Sequence, residues 1–146
     1  MRIAIGNDHA AFEGPVPYKP EIVKHLESLG HQVIDCGSSN DQAVDYPDYA
    51  QAACEVLLRG EADRGVLMCG TGVGMAMAAN RHPGIRAAAC ATPDMARLAR
   101  EHNDANVLCL GRRILTLEEC RQLMDIFLST AFSEGERHRR RVAKMG

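Results

Sequence analysis

Residues 65–74 read Gly65-Val66-Leu67-Met68-Cys69-Gly70-Thr71-Gly72-Val73-Gly74, and the fold turns on this stretch. Val66, Leu67 and Met68 form an apolar run without polar alternation. Such a run predicts a strand covered on both faces, hence a parallel sheet layered between helices. Gly70, Gly72 and Gly74 predict a tight turn from that strand into a helix, with a main chain that a ligand can approach closely. Successive free N–H groups in such a turn make a concave anion site, reinforced by the positive end of the helix that follows. Cys69 stands at the mouth of this turn, where a thiol is expected to ionise below its ordinary pKa, and the thiolate is the reactive form.

The glycine spacing excludes two nucleotide readings. A dinucleotide fingerprint requires Gly-x-Gly-x-x-Gly and an acidic residue near the end of the next strand. Here position 75 is Met75, and the next strand ends Ala89-Cys90-Ala91 with no carboxylate. No Gly-Lys-Ser/Thr follows, so a nucleoside-triphosphate loop is excluded as well. What stays open is an oxyanion-binding turn or simply a tight strand–helix connection. The cysteine at its edge favours the first.

Outward from this turn, 146 residues suffice for one domain with a real core. A formal net charge of −2 fits neither a nucleic-acid binder nor a polybasic membrane protein. No apolar run approaches transmembrane length, and Met1-Arg2-Ile3-Ala4-Ile5 enters a strand directly, so a cytoplasmic location is expected. Six cysteines are present, none in C-x-x-C spacing. Cys36, Cys90 and Cys109 lie in strand-like runs and Cys54 and Cys120 on helix-like stretches, where they read as small buried hydrophobes. Without a His pair at helical separation, no zinc site is predicted.

Toward the N-terminus, Arg2 to Gly6 is an apolar strand ending in Gly6-Asn7-Asp8-His9. Asp8 and His9 could orient a hydroxyl or hold a phosphate, or be a capping carboxylate and a solvated imidazole. Phe12 to Pro20, with Gly14, Pro15 and Pro17, reads as a rigid irregular loop. Ile22, Val23, Leu26 and Leu29 then recur at helical spacing, with Gly30 as the C-cap. Val33 to Gly37 is the second strand. Asp45-Tyr46-Pro47 opens a helix whose apolar side carries Ala50, Ala53, Cys54, Leu57 and Leu58; Tyr46, just before it, is a hydrophobic staple or a substrate contact. Arg64 to Met68 is the third strand.

Beyond the glycine turn, Val73 to Asn80 is an Ala- and Met-rich helix and Ile85 to Cys90 the fourth strand. Thr92-Pro93-Asp94 caps the next helix, with Met95, Leu98 and Ala99 facing inward. That helix runs out at Glu101-His102-Asn103-Asp104. At its negative end His102 is either a dipole partner or a proton donor near neutral pH. Asn106 to Leu110 is the fifth strand, followed by Gly111-Arg112-Arg113. Thr116 and Glu119 form a capping box for an amphipathic helix through Ala131. In the basic tail, Arg137 and Arg141 share one helical face, as a solvated stretch or as a guanidinium pair gripping a phosphate.

Taken in order, Gly-Asn-Asp-His (6–9), Asp-Tyr-Pro (45–47), Cys-Gly-Thr-Gly-Val-Gly (69–74), Gly-Ile-Arg-Ala (84–87), His-Asn-Asp-Ala-Asn-Val (102–107) and Arg-His-x-x-Arg-Val (137–142) resemble the type B ribose-5-phosphate isomerases, whose wider family includes galactose-6-phosphate isomerase subunits. The resemblance implies a Rossmann-like three-layer α/β/α sandwich around a five-stranded parallel sheet. It implies reversible aldose–ketose isomerisation of a phosphosugar without metal or organic cofactor, on ribose 5-phosphate or alternatively on a hexose 6-phosphate or tetrose phosphate. It further implies a homodimer or tetramer with shared active sites, the C-terminal basic helix (about 134–145) reaching a neighbour. In this likeness Cys69 is the base, and His102, from the neighbouring subunit, is the ring-opening acid. Thr71 passes the hydroxyl proton. Asp8, His9, Tyr46, Asn103, Arg113, Arg137 and Arg141 bind substrate, the arginines chiefly at phosphate, and the backbone of Gly70, Gly72, Val73 and Gly74 binds the oxyanion. Three places depart from the family's pattern: the proline-rich loop 14–20 is longer, Asn7 stands where Cys or Ser is common, and the tail stops soon after Arg141. Some relatives use a carboxylate in the glycine turn as base. Here Met75 leaves Cys69 as the candidate.

Overall fold

The computed structural model describes every residue from Met1 to Gly146. Strands β1 (Arg2–Asn7), β2 (Gln32–Asp35), β3 (Arg64–Cys69), β4 (Ala87–Ala89) and β5 (Val107–Gly111) pair in the order β2-β1-β3-β5-β4, every pair parallel. The five-stranded parallel sheet that the resemblance implied is therefore present. Side chains alternate along each strand, so Val66 and Met68 of β3 enter one apolar core while Leu67 and Cys69 enter the other. The first core is closed by α1 (Tyr18–Ser28), α4 (Pro93–Asn103) and α5 (Leu117–Ser129), the second by α2 (Tyr46–Leu58) and α3 (Val73–Ala79). This yields the three layers. A last helix, α6 (Glu136–Met145), packs on α4.

Local chemistry explains most boundaries. Gly30 (φ +83°) ends α1: its N–H bonds to Glu27 O and that of His31 to Leu26 O, the paired bonds of a left-handed glycine cap. Thr92 caps α4 by accepting the Met95 N–H, and Thr116 with Glu119 forms the expected capping box on α5.

Several expectations are corrected. Tyr46 is the first residue of α2 rather than its predecessor. The fourth strand shrinks to Ala87–Ala89 and the second to Gln32–Asp35, so Cys90 and Cys36 follow strands instead of lying in them. Both are edge strands, paired on one side only, which shortens the ladder that defines them. The irregular loop ends sooner than expected: a short 3-10 turn, His9–Phe12, follows Asp8, and α1 already begins at Tyr18. Leu29, Leu58 and Met95 point outward at 48%, 49% and 45% exposure. The first two sit where their helices end, and Met95 lies in the first turn of α4, where Ala96, Ala99 and Arg100 are buried instead.

Candidate active site

β1 and β3 are neighbours in the sheet although β2 lies between them in sequence. Their carboxyl ends flank the place where the strand order reverses, the crevice in which open α/β sheets receive ligands. Register puts Asn7 of β1 opposite Met68, and Cys69 of β3 opposite Gly111 of β5. Asp8, Cys69 and the Arg112–Arg113 turn are thereby aligned along one edge.

Cys69 is 5% exposed, and its Sγ accepts the Gly72 N–H at 3.2 Å. The sulfur thus meets the turn at the edge of the second core. Gly72 needs its left-handed φ of +80° to aim that N–H, and a Cβ there would stand 3.0 Å from the Leu110 carbonyl carbon. Thr71 is exposed, with Oγ1 accepting the Val73 N–H at 3.3 Å. α3, which begins at Val73, has only seven residues, so its macrodipole is short. At Gly74 the absent side chain lets the Tyr46 ring approach, its Cζ 2.7 Å from where a Cβ would be. Tyr46 is 39% exposed and therefore walls the turn instead of stapling a core. Arg113 closes the other side, its Nη1 2.9 Å from the Cβ position of Gly70.

Asp8 is buried and caps the 3-10 turn, Oδ1 accepting the Ala10 N–H at 2.9 Å. His9 is half-buried and Nδ1 accepts the Val44 N–H at 3.2 Å, an arrangement that assigns its proton to Nε2 and leaves that atom free to donate. Asn7 is 4% exposed and spans to the next loop, Nδ2 donating to Ser38 Oγ at 3.1 Å and to the Asp8 carbonyl at 2.9 Å. Its Oδ1 is buried without a partner.

A second group of predicted residues lies elsewhere. α4 leaves the carboxyl edge of the sheet after β4 and returns the chain to the amino edge before β5. His102 and Asn103, in its last turn, are therefore at the edge opposite Cys69, separated by the length of β5, five residues or roughly 16 Å. His102 stacks on buried His138 of α6, ring centroids 4.2 Å apart and planes within 9°. Arg137 and Arg141 are exposed on α6 beside them, and an open cavity of about 520 Å³ is lined by His102, Ser133, Gly135, Glu136, Arg137 and His138. Asn103 lines a neighbouring cavity of about 370 Å³ with Arg86 and Met145. One chain therefore assembles Asp8, His9, Tyr46, Cys69–Gly74 and Arg113 as one cluster, and His102, Asn103, Arg137 and Arg141 as another, without bringing them together. Glu13, Arg112 and His138 touch these clusters and carried no role in the sequence reading. His138 lies inside the quoted Arg-His-x-x-Arg motif and Arg112 beside Arg113, whereas nothing in the sequence marks Glu13.

The remaining thiols are unpaired, and four are buried. Burial pushes Cys54 and Cys90 up to about 11 and Cys120 up to about 12, and drives Cys109 well upward. These stay protonated at neutral pH. No group of three or more His, Cys, Asp or Glu side chains converges as for a metal ion, and no helix is long and apolar enough to cross a membrane.

The sequence profile of the Ribose/Galactose Isomerase family matches residues 3–145. Ribose-5-phosphate isomerase B of Escherichia coli (strain K12) is 45% identical over 141 residues, covering 97% of this chain and 91% of that protein. The fold is similar to a ribose 5-phosphate isomerase of Thermotoga maritima, at a TM-score of 0.92 and 50% identity over 99% of this chain and 96% of that one. It is also similar to ribose-5-phosphate isomerase B of Clostridium thermocellum, at a TM-score of 0.94 and 45% identity over 100% and 95% of the two chains. On a match of this length and identity, the chain belongs to the Ribose/Galactose Isomerase family of enzymes.

Proposed function

We propose that the protein interconverts ribose 5-phosphate and ribulose 5-phosphate through an enediolate, with Cys69 as the base. One observation carries this reading: the Cys69 sulfur lies at the carboxyl edge of the sheet and accepts the Gly72 N–H of the glycine turn. An N–H aimed at sulfur complements a thiolate, and the turn's remaining N–H groups, apart from that of Val73 on Thr71 Oγ1, are placed for an oxygen that gains negative charge. The thiolate takes the proton from C2 of the open-chain aldose and returns it to C1. Meanwhile one proton passes from O2 to O1, by way of the Thr71 hydroxyl. Arg113 and His9 hold the phosphate, whose binding energy positions the reacting carbons.

His102 serves as the acid that opens the sugar ring, and it must come from a second copy of the chain, because within one chain it sits at the far edge of the sheet. The same copy supplies Asn103, Arg137 and Arg141, on α4 and α6. Homodimerisation is accordingly part of the proposal. A reducing, cytosolic setting suits six free thiols.

Cys69→Ala is expected to lower kcat by about 10²–10⁴ while leaving substrate binding and the melting temperature close to wild type. Near-normal turnover in that variant would remove Cys69 as the base. His102→Asn is expected to slow the cyclic sugar far more than the open-chain form. Equal losses on both would rule out a ring-opening role. A panel of pentose, hexose and tetrose phosphates compared by kcat/KM tests the substrate, a hexose 6-phosphate being the competing outcome, since the loop at 14–17 leaves the short turn that Asp8 caps.

A further inference from the structure

Glu13 stands where the chain leaves the 3-10 turn after Asp8 and enters the proline-bearing loop. Its carboxylate holds Arg113 in a two-pronged grip, Nε donating to Oε2 at 3.0 Å and Nη2 to Oε1 at 2.5 Å. Arg112 holds the same residue by its main chain, Nη2 donating to the Glu13 carbonyl at 2.7 Å, while its guanidinium stacks 3.8 Å over the Tyr18 ring. Position 14 is glycine with φ of +77°, and a Cβ there would stand 2.7 Å from Arg112 Nη2. The clasp is therefore built from both sides: two consecutive arginines after β5 grip one residue of the loop, and the next residue leaves room for them.

The grip has a direction. A guanidinium carries five N–H donors in a rigid fork. Glu13 occupies the Nε–Nη2 edge of Arg113, which leaves Nη1 as the nitrogen lying against Gly70 at the start of the glycine turn. Arg113 is otherwise loosely held, its side chain 58% exposed. Untied, it would sample many rotamers, and fixing it on ligand binding would oppose affinity.

We propose that Glu13 is a positioning residue for the phosphosugar, pre-aiming the Nη1 side of Arg113 at the Gly70–Gly74 turn so that a phosphate monoester meets an already oriented fork. The identity of the ligand rests on the isomerase reading above. The direction of Glu13's own ionisation agrees: its bond with Arg113 holds its carboxyl below the ordinary carboxylate range, so the grip persists at neutral pH.

The alternative for the same contact is competition, in which the carboxylate occupies Arg113 as a stand-in for phosphate and must yield to it. The two differ in sign. Pre-aiming predicts that Glu13→Ala raises KM for the phosphosugar about 2- to 10-fold with kcat within about twofold, and that Glu13→Gln, which keeps one acceptor, raises it less. In an Arg113→Ala background, Glu13→Ala changes nothing further. Lowered KM in both variants, unchanged KM, or a loss in kcat alone overturns the proposal. Calorimetric titration of inorganic phosphate separates it from the isomerase reading. If the wild-type chain turns over no phosphosugar, that reading fails, yet weaker phosphate binding by Glu13→Ala than by wild type still upholds the pre-aimed fork, and equal or tighter binding still overturns it.

Discussion

Burial drives the five other thiols toward protonation, whereas the Cys69 sulfur meets a main-chain donor. That donor is aimed by a single left-handed residue three positions on. Gly72→Ala therefore tests the sulfur's environment without touching the sulfur. Forcing an L-residue to φ of +80° with a Cβ 3.0 Å from the Leu110 carbonyl carbon is expected to cost about 1–3 kcal/mol of stability and to swing the N–H off the thiol. Thermal unfolding reads the first effect. The second is read as a loss of kcat in the surviving folded fraction, and full kcat there would show that the N–H is dispensable. Gly74→Ala displaces the Tyr46 ring, whose Cζ lies 2.7 Å from the new methyl. A raised KM with little change in melting temperature is the expected result.

At the scale of elements, the legible features were those with local causes. The caps of α4 and α5 followed from Thr92-Pro93 and from Thr116 with Glu119, because those side chains bond only a few residues away. Thr116→Ala is expected to destabilise the protein by about 1 kcal/mol, seen as a lowered denaturant midpoint with unchanged slope. The edge strands were overestimated because Ile85 to Cys90 has strand composition throughout, and nothing in the sequence says that only three of its residues find a partner. Within the candidate site, Cys69 and the glycine turn could be read from ten consecutive residues. The grip of Glu13 on Arg113 could not, since it joins positions 100 apart through an unremarkable carboxylate. α6 adds a pH dependence. Burial, then the charges of His102, Arg137 and Arg141, hold His138 below the ordinary imidazole value of 6.5. In the window below 6.5 the unfolded chain binds the proton and the folded chain resists it, so stability falls as pH falls. Amide exchange in α6, corrected for intrinsic rates, is expected to speed up from about pH 7 to about pH 5, and His138→Gln is expected to flatten that trend.

For the molecule as a whole, placing Cys69 and His102 at opposite sheet edges makes a mixing experiment decisive. Cys69→Ala and His102→Asn chains are each expected to be nearly inactive alone. In the homodimer proposed above, chains unfolded together and refolded at equal concentrations would give half mixed dimers, each with one intact site, so activity is expected to recover to about a quarter of wild type. No recovery would mean that each chain uses its own His102 or that the two residues never share a site.

The short helix after the glycine turn carries one more implication. Val73 and Met77 of α3 show their side chains outward, 50% and 68% exposed, while the backbone of Val73 belongs to the glycine turn beside Cys69. Seven residues leave no slack between those two duties. Met77 lies about one helical turn from Val73, so a neighbour that settles on the outer methionine is expected to stiffen the glycine turn as well.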